Sequence, residues 1–319
     1  MIRDLNGGPG STNDSPITLT ANSYLDLNVN STDLLRLNGV ISESAGSFGL
    51  TKTNVGSYSL AATNTYSGTT LVAQGHLILV DNGSITNSKT ITVAAGATLD
   101  ASPRADGTLT LYPGQTLNGF GSVTGIVSTV SGSTVAPGSS SSTGTLTLTG
   151  NTTLGGTNLM KVSRTSGATN DIVSVNGALA VGATLTVSSL GGSYINGDTF
   201  TLLKATGGIT GTFTATNLPA IPGFAWNTSN LANGVLSLIA TVNTTPTNIT
   251  TVVSGNTLTL SWPADHIGWR LQAQTNALGI GLNPASNAWF DVAGSTSVNS
   301  VNVTFNPANG TVFYRMVYP

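Results

Sequence analysis

Residues 54–80 read NVGSYSLAATNTYSGTTLVAQGHLILV, and the fold class follows from how this stretch alternates. Apolar side chains recur at every second position in residues 58–60, 70–72 and 77–79, the period of a strand with one buried face. Gly or Asn closes each run, and these residues turn the chain at little conformational cost. Three short strands separated by turns make one coil of a β-solenoid. Leu60, Val72, Leu77 and Leu79 are expected inside it, with Ile91, Val93 and Leu99 stacked on them from the following coil. A slip of one residue would invert every one of these faces.

The order N-x-Y-S-G-T-T-x-V-x-x-G-x-L-x-L is carried here by Asn64, Tyr66, Ser67, Gly68, Thr69, Thr70, Val72, Gly75, Leu77 and Leu79. It resembles the autotransporter-associated β-strand repeat. Family members usually carry a second Gly before the Thr pair, and a small residue plus Thr at the positions of His76 and Leu77. The preceding segment is similar to the family's lead-in through Gly39, Val40, Ile41, Ser42, Leu50, Thr51, Lys52 and Thr53. The resemblance implies a bacterial extracellular or cell-surface location and a β-solenoid architecture. No enzymatic site belongs to this repeat, and the residues at its positions are assigned no catalytic, cofactor-binding or metal-binding role.

Composition narrows the remaining classes. Only 7% of the 319 residues are charged, the net charge is −2, and no basic cluster is present, which argues against a nucleic-acid partner held by phosphate neutralisation. Thr, Ser, Asn, Gly, Val and Leu dominate, as strands joined by tight turns require. With no cysteine, neither a disulfide framework nor a thiolate metal site is available. No apolar run reaches the roughly 18 residues of a membrane-spanning helix, so membrane insertion by helices is not expected. The start MIRDLNGGPG holds no apolar signal core, so an export signal is expected to lie outside this sequence.

Outward from the central repeat, residues 16–29 alternate, with Ile17, Leu19, Ala21, Leu25, Leu27 and Val29 on one face. They read as one long half-buried strand or two strands in line. Behind a Gly-rich leader, such a strand is the design of one that completes a neighbouring molecule's sheet, giving a head-to-tail homopolymer. The plain alternative is that it folds back and caps its own solenoid. Residues 1–33 are accordingly set apart as leader and candidate donor strand.

Residues 34–240 are expected to form the solenoid, at roughly 20–25 residues per coil. Residues 241–247 read as a linker. Residues 248–319 have a different composition, with Trp262, Trp269 and Trp289 and short strands about every ten residues, which predicts a small immunoglobulin- or fibronectin-like β-sandwich. The runs LSWP, GWRLQAQTN and VFYRMVYP resemble the C-terminal β-sandwich of large secreted proteins of Verrucomicrobia and Planctomycetes. The fold class is therefore all-β, a parallel β-helix followed by a small β-sandwich.

The β-helix also houses carbohydrate-active enzymes, which need clustered carboxylates. The twelve acids are scattered, and Asp100, Arg104 and Asp106, the nearest approach to a cluster, fit a solvated turn. His76 and His266 fall in different expected domains, with no second ligand at metal spacing. Trp262, Trp269, Trp289 and Tyr314 make either a sugar-stacking platform or the core of a small sandwich, and the core is the ordinary outcome. Lys161 lies on a strand with Asn and Asp neighbours, an arrangement that invites an isopeptide cross-link. The functional expectation is a non-enzymatic structural protein, a surface fibre subunit or rigid stalk, without cofactors. A glycan- or surface-binding adhesin is the alternative, and a carbohydrate-active enzyme the weakest reading.

Overall fold

The structure, a computed structural model, describes residues 2–3, 10–26, 34–306 and 308–318. It is all-β, a parallel β-solenoid followed by a small antiparallel sandwich, and it divides into two compact units: residues 1–219 with 226–238, and residues 220–225 with 239–319.

The solenoid has three faces. On the first, nine parallel strands run from Ser11–Asn13 to Leu203–Ala205 in one continuous ladder. The second runs from Ile2–Arg3 through Ser23–Asp26, Leu50–Thr53, Thr70–Val72 and Thr90–Val93 to Ala215–Asn217. The third is interrupted. Ile17–Leu19 pairs with Ile41–Glu43, and the ladder resumes at Thr108–Leu111 and continues to Ile209–Gly211. Between them the pairing is reduced to the single bridges Thr63 to Ser84 and Asp81 to Arg104 and scattered hydrogen bonds such as Thr65 N–H to the Ile41 carbonyl.

Register places like on like. Leu35, Tyr58, Leu77, Leu99, Val123, Leu148 and Val175 stack as one inward column on the first face, all of them buried. Each such side chain contributes roughly 1.5–3 kcal/mol on burial, so the columns supply most of the driving force. Leu60, Val72, Leu79, Ile91 and Val93 are inward as the alternation predicts. The coil length falls from 24 residues between the paired Ser11 and Leu35 to 19 between the paired Ser57 and His76, then grows to 30 between the paired Ser174 and Lys204. Just before the last ladder strands an antiparallel element enters: Thr199–Thr201 pairs with the start of Val235–Ala240, and buried Phe200 packs on Tyr194 and Trp226.

Two expected boundaries move. Ser11–Asn13, Ile17–Leu19 and Ser23–Asp26 pair in parallel with the next coil, so the solenoid begins before Leu34 and the described part of residues 1–33 is its first coil. Residues 16–26, the described part of the stretch 16–29, are not one strand, nor two in line. The chain turns a corner near Ala21, which is exposed, and Ile17–Leu19 and Ser23–Asp26 lie on different faces. Alternation alone could not reveal this, because the three-residue corner 20–22 preserves the parity of both flanking strands.

In the second unit, Thr250–Ser254, Thr257–Ser261 and Ser300–Thr304 form one antiparallel sheet, and Phe290–Asp291, Arg270–Asn276 and Thr311–Val317 the other. Leu260, Trp262 and Leu271 fill the space between them with Leu258, Val301 and Met316 packed alongside. The expected linker is part of this unit. Asn243 N–H donates to the Asp265 carbonyl at 2.7 Å, Trp269 Nε1 to the Asn243 carbonyl at 2.7 Å, and His266 Nε2 bonds the Thr245 carbonyl at 2.7 Å. A Thr- and Asn-rich segment reads as a spacer in sequence; here its backbone groups are taken up by buried side chains.

Candidate functional site

The first part of the repeat motif, Asn64 to Thr69, lies where the ladder of the third face lapses, and its side chains supplement the backbone pairing found elsewhere. Asn64 is buried; its Oδ1 accepts the Ile41 N–H at 2.8 Å, and its Nδ2 donates to the carbonyls of Ala62 (3.0 Å) and Ser84 (3.1 Å). One side chain thereby joins three successive coils. Tyr66 fills the interior, with its hydroxyl 2.7 Å from Thr70 Oγ1; Thr70 donates to Ser88 Oγ at 2.9 Å, and Ser88 to the Gly68 carbonyl at 2.7 Å. Burial pushes the Tyr66 phenol well above its ordinary pKa. At Gly68 a Cβ would lie 2.2 Å from the Phe48 carbonyl carbon, so the position accepts no side chain. Ser67 Oγ donates to Glu43 Oε1 at 2.6 Å and Phe48 N–H to Oε2 at 2.8 Å, and these two bonds, the Ser67 one first, hold the Glu43 carboxyl below the usual range.

Two lysines are buried in the solenoid with different partners. Lys52 stands in an inward column between Leu25 and Val72, and its ammonium donates only to carbonyls, those of Thr53 (2.6 Å), Asn54 (2.7 Å) and Gln74 (3.1 Å). Burial lowers its pKa to about 8, with Asp26 opposing. Lys161 instead faces a carboxylate, with Nζ 2.6 Å from Asp171 Oδ2, and both side chains are nearly inaccessible. Burial raises the Asp171 pKa despite the hydrogen bonds from Lys161 and Gly144.

The remaining sequence-derived candidates are dispersed. Leu19 and Leu25 are buried within the chain's own first coil, Ile17 is half-buried and Ala21 exposed, so these four are not presented on a common free face. Leu27 and Val29 lie outside the described residues. Arg104 bonds Asp106 at 3.0 Å and also donates to the Gly83 carbonyl, while Asp100 accepts the N–H and hydroxyl of Ser102. The three side chains hold turns. A small cleft beside them is lined by Ser84, Arg104, Asp106 and Gln115, and Ser84 Oγ has no hydrogen-bond partner there. His76 is exposed.

Trp262, Trp269 and Trp289 are each less than a tenth exposed, and they do not share a surface. Trp262 is in the sandwich core, Trp269 packs on His266 and Tyr318, and Trp289 lies under the Arg315 guanidinium at 4.2 Å. A stacking platform needs accessible ring faces, and burial withholds them. Among the described residues no group of three or more His, Asp or Glu stands together as a metal site would require.

No protein-family model matches the chain, and a comparison with curated proteins finds no match. Apolar alternation does not reveal the inward role of Lys52 in LTKT, because the inward position carries a charge. The pairing of Lys161 with Asp171 across a turn has no signal in spacing.

Proposed function

We propose that the chain is a structural, extracellular bacterial protein: a stiff β-solenoid that spaces or assembles into a surface fibre, with the C-terminal sandwich as joint or adhesive tip. The unbroken nine-stranded ladder of the first face supports this reading most directly. At about 4.8 Å per coil the ladder spans about 40 Å, and its internal strands are paired on both sides, which resists bending and local opening. Its end strands, Ser11–Asn13 and Leu203–Ala205, each have one neighbour within it. Such edges template further strands, so copies are proposed to stack head to tail by their end coils. The donor-strand form of that idea is set aside, because Ile17–Leu19 and Ser23–Asp26 are already paired within the chain. Negative-stain imaging together with sedimentation over a concentration series tests the fibre reading. Filaments or concentration-dependent oligomers support it, and a strict monomer at high concentration removes it, leaving a spacer.

A second reading, a surface-binding adhesin, is favoured by one loop. Leu278, Ile280 and Leu282 are 84%, 59% and 53% exposed. Gln274 grips Asn283 in both directions at 2.8–2.9 Å, and Asn276 donates to the Gly281 carbonyl. The loop is thus held open with its aliphatic residues outward. Adsorption to apolar and glycan-coated surfaces, compared between the native chain and Leu278→Ser, separates this reading from a purely structural one.

A further inference from the structure

We propose that Lys161 and Asp171 condense to an intramolecular isopeptide bond, a covalent staple inside the solenoid. Four observations converge on it. First, the nucleophile and the electrophile are in contact, with Lys161 Nζ 2.6 Å from Asp171 Oδ2. Second, Lys161 accepts the Asp171 N–H at its carbonyl (2.8 Å) and donates its own N–H to Oδ2 (2.8 Å), which fixes the two residues against each other. Third, the Gly144 N–H points at the other carboxylate oxygen, Oδ1, at 2.8 Å, where charge develops when an amine adds to the carboxyl carbon. Fourth, the Pro137 carbonyl accepts from Nζ at 2.7 Å and so orients it.

A buried ion pair is costly because two charges leave water. Burial raises the Asp171 pKa and so favours the neutral acid, the form of the carboxyl that an amine attacks. The step balances without any co-reactant. One ammonium proton passes to Oδ2, the neutral Nζ adds to Cγ, and Oδ1 carries the transient charge against the Gly144 N–H. A second Nζ proton then goes to Oδ2, which departs as water, leaving one N–H on the new amide. The amide oxygen keeps the Gly144 bond and the amide N–H keeps the Pro137 bond. Only the Lys161 backbone N–H loses its acceptor.

Intact-mass measurement of the full denatured chain tests the proposal, since condensation removes one water (about 18 Da) from the sequence mass. Proteolytic mapping must then return one branched peptide joining Lys161 to Asp171, and Lys161→Arg must restore the full sequence mass. The mapping is done on the native chain, so a variant that fails to fold does not affect the outcome. A native mass equal to that of the sequence overturns the proposal. So does a loss of water that maps to any other residue.

Discussion

The third face of the solenoid is built in two ways. From Thr108–Leu111 to Ile209–Gly211 it is a continuous backbone ladder, with outward Thr110, Ser128, Thr153, Ala180 and Thr210 in register. From residue 61 to 69 and from 80 to 89 the ladder lapses, and Asn64, Tyr66, Thr70 and Ser88 hold the coils together through side chains. Buried N–H and C=O groups must be satisfied in either case. Where the backbone does this, the sequence needs only alternation, so the strands read as generic Thr-Leu-Thr. Where side chains do it, particular residues are required. A specific motif therefore marks the irregular part of this solenoid, while the regular part is nearly anonymous.

Tyr66→Ala is expected to have the largest effect, a loss of about 3–5 kcal/mol from the interior void and the broken hydroxyl chain. Thr153→Ala, on the outer side of the regular ladder, is expected to stay within about 0.5 kcal/mol. Urea titration of both variants measures the contrast, and equal losses would abolish the distinction between the two halves. Asn64→Ala comes next, at about 1–3 kcal/mol, because it strands the Ile41 N–H, while the Ala62 and Ser84 carbonyls keep their backbone donors. Hydrogen exchange should show it locally, with the Ile41 amide losing protection before the amides of Val127 or Leu154. Unchanged protection at Ile41 would mean water replaces the asparagine at no loss.

Much of the solenoid was legible because period-two alternation is a direct consequence of one-sided burial, as Leu77, Leu79, Ile91 and Val93 show. The corner at residues 20–22 was not legible, since Leu19 and Leu25 on either side of it keep the same inward parity; this is how residues 16–29 pass for a continuous face. The second unit's core was readable from its tryptophans, whereas the role of residues 241–247 depends on Trp269 and His266 folding back onto them, a contact more than twenty residues away in sequence. The candidate site was least legible. The sequence shows Asn and Asp near Lys161, but that Asp171 meets it while Lys52 meets carbonyls is a matter of three-dimensional register.

Lys52 extends the comparison to pH. It serves the carbonyls of Thr53, Asn54 and Gln74 at a corner, again a side chain standing in for a ladder. Its folded pKa is about 8 against 10.5 for the free group, so between these values the unfolded chain binds the proton better. Stability from this residue should rise as pH climbs from about 8 to 10.5, by less than about 1.4 kcal/mol per pH unit. Lys52→Met should flatten that slope in urea midpoints measured at pH 7.5, 9 and 10.5. A slope that survives the substitution assigns the effect elsewhere.

His266 asks whether the same device operates outside the solenoid, and it gives the smallest expected effect. Its Nδ1 is 2.7 Å from Asp265 Oδ1 and its Nε2 is 2.7 Å from the Thr245 carbonyl, two acceptors that only the doubly protonated ring satisfies. Burial works against that charge, but the Thr245 carbonyl and then the Asp265 carboxylate outweigh it, and the pKa is raised. The sign is opposite to that of Lys52. The contribution is complete below the ordinary histidine value of 6.5 and is lost as pH rises through the raised folded value. Asp265 sets the lower limit. The Asn243 side chain and then His266 hold its pKa below 3.8, so its share is lost as pH falls through the depressed folded value. The Asp265 side chain is 34% exposed, and pairs so open to solvent contribute at most about 1 kcal/mol. His266→Gln keeps one donor for the Thr245 carbonyl and removes the titration. Between pH 5 and 8 the native chain should therefore lose protection at the amides of residues 243–245 as pH rises, while the variant shows no pH dependence there. The same loss in the variant would mean that the segment is held by Trp269 and Asn243 alone, and that the side-chain substitution seen at Asn64 has no titratable counterpart in the sandwich.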